Sequence, residues 1–462
     1  MAILLKIEWA SRVFEFDNPG DLEDEAGDLL SPSSTGRSVS FSDLFFPVDV
    51  AELIEAGHDL AAAVGEVSID GRVIVRGFVS EPVYGGADEP VSLTVADDPY
   101  NDRGLIPGAT EVVPAWAYSE KWGDVDAPYP IIFGTPGGGT SAKYPGSPAP
   151  IWDRIFASPD DTESLLIAGH RISAAGTFRV YDTEGAGIDF AATYLRESID
   201  PSGRAITALD ISLVASAIDL ESSEYYIAWG SGSVGLPGGA GDVIGYLLER
   251  STLAVDWDRF SEIRGVLNNY ELAAFIDEPV APWEYIDALN EWLPISWVSG
   301  ASGVFPVLWR LDARAHNSQH AFNNETRAGL VNYERDRGDI INEVQINFAR
   351  NIRADTYTES VTVRDELSID RYGLASESVD LDVVYDKKTA YQIGRDRLAA
   401  NAWIHRVVSY QINDDRGVQP GDIVKVTDDD LHLSEAPGLA RRVKFTGGGV
   451  CSVEVLLLAR GV

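Results

Sequence analysis

In residues 339–462, short stretches of alternating apolar and polar residues are separated by turn residues, and this pattern limits the possible folds most. The opening run, DIINEVQINF, alternates in the way that is typical of a half-buried strand. The Pro-Gly-Asp turn at 420–422 leads into another strand of alternating apolar residues. Residues 440–445 and 451–458 predict paired strands around a glycine turn, and 387–404 has a helical period. The segment is therefore predicted to be mainly β with one helix.

The whole chain of 462 residues is long enough for several domains. Composition and turn signals divide it into four predicted units: a tube-like β-barrel domain (1–98), a β insertion domain (99–235), a small α+β domain (236–335) and a second tube-like β-barrel domain (336–462). In the first unit, the Asp-Gly pair at 70–71 favours a tight hairpin turn. The predicted fold class is mainly β with α+β, multidomain.

The α+β unit has its own local signals. Asp242 is predicted to cap a helix over 243–250, and residues 270–275 are predicted to form a strand. A helix over 282–293 would place four apolar side chains on one face: Trp283, Ile286, Leu289 and Leu293. With Trp292, Trp297 and Trp309 close by, we expect an aromatic core cluster or burial between subunits, and a sugar-binding groove is the alternative.

The order of strand, strand, helix, Pro-Gly-Asp strand and paired final strands in residues 339–462 resembles the C-terminal domain of phage tail hub proteins. Residues 240–335 follow the order of that family as well, and residues 1–98 follow it less closely. The family is structural, so the resemblance implies no catalytic residue and no enzyme activity. Some members hold an iron–sulfur cluster through several cysteines, whereas this chain has one, Cys451. We therefore expect no cofactor and no metal site.

The resemblance also implies how the protein assembles. Each subunit would hold two tube-like barrels, so three copies would present six barrels in a ring that adapts the sixfold tail tube to a threefold tip. The implied partners are a homotrimer of the chain itself, the distal tail protein, the tail tube ring, the tape measure protein and a tail fibre or tip protein. The implied location is the tail tip of the virion, after synthesis in the host cytoplasm, where DNA passes through the ring.

The net charge is −37, from 73 acidic and 36 basic residues. Such a surface repels nucleic acid and anionic membranes, so we expect neither as a stable partner. An acidic channel wall would let DNA pass without sticking, and adaptation to salty surroundings explains the charge equally well. We name Asp428, Asp429 and Asp430 as candidates for lining the channel or an interface, and a solvated loop is the alternative reading of this run.

Sites for other chemistry are weakly supported. His316 and His320 have the four-residue spacing of a zinc pair, but their polar context predicts a loop. The N-terminal run predicts no secretory signal, and no apolar run reaches the length of a membrane span. Cys451 is predicted to be a small core residue of the last strand. A glycan-binding or glycan-hydrolysing tail protein, built on 99–235 and exposed aromatics, is the alternative function, and a distal tail or side-fibre adaptor is a third.

Overall fold

The structure is a computed structural model of the 462-residue chain. It describes residues 2–19, 22–25, 38–69, 71–84, 89–96, 104–107, 130–135, 149–156, 163–172, 177–181, 187–191, 193, 195–199, 205–210, 225–228, 235–276, 278–300, 303–309, 318–325, 332–333, 339–351, 355–413, 417–446 and 450–457. Strands predominate and helices are fewer, so the expected fold class, mainly β with α+β, is confirmed.

The first part of the chain forms one antiparallel sheet. Its strands and helical segments are β1 (Ile3–Trp9), β2 (Arg12–Asp17), β3 (Leu22–Glu25), β4 (Ser38–Leu44), α1 (Val50–Glu55), a 3₁₀ turn (Leu60–Ala62), β5 (Val64–Ile69), β6 (Arg72–Val83) and β7 (Val91–Ala96). The strand order is β2-β1-β5-β6-β7-β4-β3. The sheet curls as a half-barrel. The hairpin at the predicted Asp-Gly turn is confirmed, and Gly71 supplies its positive φ.

Most of the next strands form a second antiparallel sheet. They are β8 (Ile131–Ile132), β9 (Ala149–Phe156), β10 (Glu163–Ala168), β11 (Thr177–Tyr181), β12 (Gly187–Ala191), β13 (Leu195–Ile199), β14 (Ala205–Asp210) and β15 (Tyr225–Ala228). Seven of them follow the order β12-β11-β15-β9-β10-β14-β13. Strand β8 pairs outside this sheet, with a strand of the next segment.

The mixed segment contains α2 (Ala240–Leu248), α3 (Trp257–Leu267), β16 (Phe275–Ile276), α4 (Pro282–Asn290), β17 (Ile295–Gly300) and β18 (Gly303–Leu308). Strand β16 is the partner of β8, and β17 and β18 form a hairpin. The strand predicted over 270–275 is wrong for most of its length, because Leu272, Ala273 and Ala274 bond instead to separate loops.

Helix α2 begins earlier than predicted, and Asp242 is not its cap. The N-cap residue is Gly239, which has no side chain to close the helix. Asn268 takes over the role, because its Oδ1 accepts the backbone N–H of Asp242 at 2.9 Å. The Asp242 carboxylate instead binds the Arg264 Nε at 2.7 Å. A residue distant in sequence thus completes this helix start.

The last segment contributes two sheets. Its elements are β19 (His320–Asn323), β20 (Asn332–Tyr333), β21 (Glu343–Asn351), β22 (Thr356–Arg364), α5 (Glu366–Tyr372), β23 (Ser376–Asp380), α6 (Lys387–Asn401), β24 (Arg406–Asn413), β25 (Ile423–Asp428), β26 (Leu433–Thr446) and β27 (Val450–Leu457). One sheet has the order β22-β21-β23, and the other has the order β19-β25-β26-β27-β24-β20. Two of the sheets in the structure are curled half-barrels.

Two large hydrophobic cores cross these sequence segments. In the first core, buried residues of the seven-stranded sheet β1–β7, such as Leu5 and Val67, join buried residues of the six-stranded sheet, such as Tyr410 and Val455. The second core joins α2, α3 and α4 to β21 and α6. The stretch 336–462 therefore contributes to both cores, and the four domain boundaries remain a proposal.

Candidate assembly surfaces

The acidic run after β25 divides into a buried and an exposed part. Asp428 is 0% exposed, and its Oδ1 accepts the backbone N–H of Leu431 at 3.1 Å, which closes the turn. Asp429 and Asp430 are exposed. The buried position removes Asp428 from the residues that can face a channel, because its side chain is enclosed by its own subunit. The candidate surface is therefore reduced to Asp429 and Asp430.

Of the two histidines with zinc-like spacing, His316 lies outside the described residues. His320 lies on β19, so the loop predicted from its polar context is wrong at this residue. Its Nε2 is 3.2 Å from Oδ2 of Asp422. The same carboxylate oxygen accepts the backbone N–H of Gln419 at 2.8 Å, across the Pro-Gly-Asp turn. His320 thus holds the turn that the sequence singled out. Among the residues that the structure describes, no group of three or more His, Cys, Asp or Glu side chains could hold a metal ion.

The tryptophans of α4 and β17 form a core cluster, as expected. Trp283 is 0% exposed, and its ring centroid lies 5.0 Å from that of Trp297 at an interplanar angle of 71°. The Nε1–H of Trp297 donates to Oδ1 of Asn290 at 3.0 Å. Trp309, half-buried, donates to Ser296 Oγ at 2.8 Å. Trp283 and Trp297 are buried inside the subunit, so they cannot line a sugar groove.

One face of the β22-β21-β23 sheet is apolar and the other is polar. Val344, Ile346 and Phe348 of β21 point into the second core. The alternate residues form what we call the polar sheet face, which consists of Glu343, Gln345, Asn347, Thr362, Ser376, Ser378 and Asp380. Its side chains bond to one another across the strands, as in the 2.7 Å bond from Asn347 Nδ2 to Asp380 Oδ1. These hydrogen bonds order the side chains of the polar sheet face, although no apolar layer covers them.

Glu343 is the best-bound carboxylate of the polar sheet face. The Ser376 hydroxyl donates to its Oε1 at 2.7 Å, and the Arg364 Nε binds its Oε2. The pKa of Glu343 is held below its usual value. The hydrogen bond from Ser376 is the largest cause and the hydrogen bond from Arg364 is the next. The carboxylate is therefore charged at neutral pH and fixes the register of three strands.

An ion cluster closes one end of the same sheet. The Arg350 guanidinium binds Asp382 at 2.7 Å and Asp355 at 2.8 Å. The Tyr357 hydroxyl donates to the other oxygen of Asp382 at 2.5 Å. Burial, followed by the hydrogen bond and charge of Asp382, raises the pKa of Tyr357 above its ordinary value. Because these residues satisfy one another, the cluster ties β21, β22 and the loop after β23 together and offers no reactive group.

Helix α6 is tied to the second core by polar contacts that the sequence did not reveal. Arg397 binds both carboxylate oxygens of Glu377 on β23, at 2.6 and 2.8 Å. The Tyr270 hydroxyl donates to Asp396 at 2.6 Å. The pKa of Tyr270 is raised above its ordinary value, mainly by burial and then by the charge of Asp396. The i, i+1 pair of Asp396 and Arg397 is the only local signal, and it does not indicate a partner 126 residues away.

Comparison of the sequence with protein families and with curated proteins finds no match. No protein-family model matches the chain. No curated protein matches it either. Among the described residues, no helix has both the length and the apolar composition needed for a membrane span.

Solved structures that the chain is similar to include several tail proteins. A 43 kDa tail protein of prophage MuSo2 from Shewanella oneidensis is 9% identical with a TM-score of 0.40, over 99% of this chain and 98% of that one. A tail protein from Neisseria meningitidis is 11% identical with a TM-score of 0.45, over 100% and 98%. The prophage tail protein gp18 from Listeria monocytogenes is 10% identical with a TM-score of 0.30, over 75% and 93%.

Each of these three proteins is described as a tail protein.

Proposed function

We propose that this chain is a structural, non-enzymatic subunit of a phage tail, and that it forms the hub at the tail tip as a homotrimeric ring. The observation that carries the proposal is the first core, in which a seven-stranded and a six-stranded half-barrel from opposite ends of the chain pack together. One subunit thereby holds two curled sheets side by side. Three subunits hold six, which is the number needed to meet a sixfold tube.

The partners follow from that position. The six-sheet side of the ring would meet the tail tube ring and the distal tail protein, and the threefold side would meet a tail fibre or tip protein. The tape measure protein would end at the hub, in the virion tail tip. A rigid ring needs a well-packed interior more than a reactive pocket, and the buried tryptophan cluster and the self-satisfied ion cluster agree with that need.

The ring would surround the channel through which DNA leaves. Lysine or arginine contacts with phosphate would add salt-sensitive affinity and slow the DNA, so the wall should be acidic. Asp429 and Asp430, exposed at the turn after β25, are the candidates for that wall. A cryo-electron microscopy map of the assembled ring tests this: we expect both carboxylates at the lumen, and a neutral or basic inner wall contradicts it.

The oligomeric mass tests the hub directly. Light scattering on purified protein, over a range of concentrations, should give three times the mass of the chain. A stable monomer or dimer at all concentrations contradicts the hub. Incubation with host envelope glycans tests the alternative, since glycan release or tight glycan binding would make the chain a tail-associated glycan-active protein.

A further inference from the structure

Helix α6 presents a basic face in a strongly acidic protein. Lys387, Lys388, Tyr391 and Arg395 are exposed and lie within roughly a third of the circumference of the helix. We call these four residues the basic helix face. Lys387 and Lys388 are two of only seven lysines in the chain. Tyr391 is 47% exposed.

Several basic residues in the described part of the chain bind a carboxylate of the same subunit, whereas the cations of this face do not. The basic residues with an ion-pair partner inside the subunit include Lys6, Arg250, Arg264, Arg350, Arg364, Arg397, Lys425 and Arg442. Lys387, Lys388 and Arg395 form no ion pair with any described residue. The nearby carboxylates are engaged elsewhere, since Asp386 caps α6 and Asp396 accepts from Tyr270 and Gln392.

A complementary surface lies on α1. Glu52 and Glu55 are exposed, one turn apart on the helix, and form no ion pair with any described residue. Phe45, 65% exposed, lies shortly before the helix and offers an apolar surface to an aromatic ring. Helix α1 packs on the first core, whereas α6 packs on the second. The two faces therefore lie on different cores of one subunit.

We propose that the basic helix face docks on the Glu52–Glu55 face of α1 in a neighbouring copy of this chain. The inference rests on the proposed homotrimer and names the surfaces that join its subunits. Because the two faces differ, the contact is head-to-tail, and a head-to-tail contact can close into a ring. Opposite charges at the contact set the register and orientation, while the remainder of two strongly acidic copies repels. Tyr391 would pack on Phe45 at its centre.

The test is a charge reversal with a compensating reversal. Lys388→Glu with Arg395→Glu should weaken self-association by about 10-fold or more, measured by sedimentation equilibrium, because like charges then face each other. Adding Glu52→Lys with Glu55→Lys to the same chain should restore it, since both sides of each contact are then reversed. Arg12→Glu with Lys444→Glu, the matched control, changes the net charge equally and should leave association unchanged. Circular dichroism and thermal unfolding show that each variant folds.

The outcomes separate this inference from the proposed hub. A wild-type monomer would overturn both. A trimer that is indifferent to the α6 reversal would overturn the docking surface and leave the hub standing, and so would a dissociated α6 variant that the α1 reversal fails to restore. Binding of a duplex DNA probe by wild type at physiological salt, lost in the α6 variant, would assign the face to phosphate and overturn the docking proposal.

Discussion

At the scale of single residues, the cores tolerate little change in volume. Trp283 fills the centre of the second core with no exposed surface, whereas Trp257 on α3 is 40% exposed. Gly65 on β5 is equally constrained, because a Cβ built there would lie 2.6 Å from Cγ2 of Val95. Neither constraint is visible in the local sequence, since both depend on which residue faces the position.

We expect Trp283→Ala to destabilise the protein by about 3–5 kcal/mol, because it removes a fully buried ring and leaves a cavity. Trp257→Ala, the matched control, should cost about 1 kcal/mol or less. Urea unfolding measures both variants. Equal costs for the two substitutions would contradict the assignment of Trp283 to the centre of the core.

Alanine should have opposite effects at two glycines. Gly65→Ala should destabilise by about 1–3 kcal/mol, because its methyl group overlaps Val95, and Val95→Ala in the same chain should recover part of the loss. Gly265→Ala, on an open face of α3 with no atom within 4 Å, should stabilise by about 0.5–1 kcal/mol. Thermal unfolding provides the comparison, and a stabilising Gly65→Ala would refute the close strand contact.

At the scale of elements, polar networks set register where apolar packing is one-sided. The β22-β21-β23 sheet has one face on the second core, and its polar sheet face carries the bonds of Glu343 to Ser376 and Arg364. These bonds join a central strand to both neighbours, so a one-residue slip of either neighbour would break them along with the apolar pairing.

The network should make stability depend on pH through Glu343. Its folded-state pKa is lowered from an unfolded value of about 4.3, so its contribution is present above that value and is lost as pH falls through the folded pKa. Urea midpoints measured from neutral to acid pH should therefore show wild type above Glu343→Gln at neutral pH and the two converging in acid.

Glu278, exposed and outside the helices and strands, provides the control. Glu278→Gln should follow the wild type at every pH. A constant gap between wild type and Glu343→Gln from neutral pH into acid would show that the loss comes from side-chain shape and not from charge.

At the scale of the whole molecule, the two half-barrels are energetically one unit, because they bury side chains against each other. Leu5→Ala in β1 should cost about 2–5 kcal/mol and should lower the hydrogen-exchange protection of β27 as much as that of β1. Leu247→Ala in α2 should lower the protection of the second core instead. Loss of protection confined to the first sheet would contradict a shared core.

Elements with strong periodicity or turn chemistry were predictable from the sequence. The β5–β6 hairpin, the α4 face with Trp283, and the strand after the Pro-Gly-Asp turn all follow from neighbours in the chain. The helix α6 was predicted from its period, and the core position of Cys451 from its apolar strand. A local pattern is enough to predict these elements, because the spacing of apolar residues within each one defines the face that it buries.

The tertiary structure alone decided what depends on distant partners. Asn268 caps α2 in place of Asp242, β19 pairs parallel with β25, and Asp428 is buried under its own turn. The first and last sheets share a core although more than 200 residues separate them, and α6 joins the other core. Apolar burial and hydrogen bonding do not depend on the distance between residues in the sequence. A local pattern therefore predicts that an apolar face is buried, but it does not predict which segment covers that face.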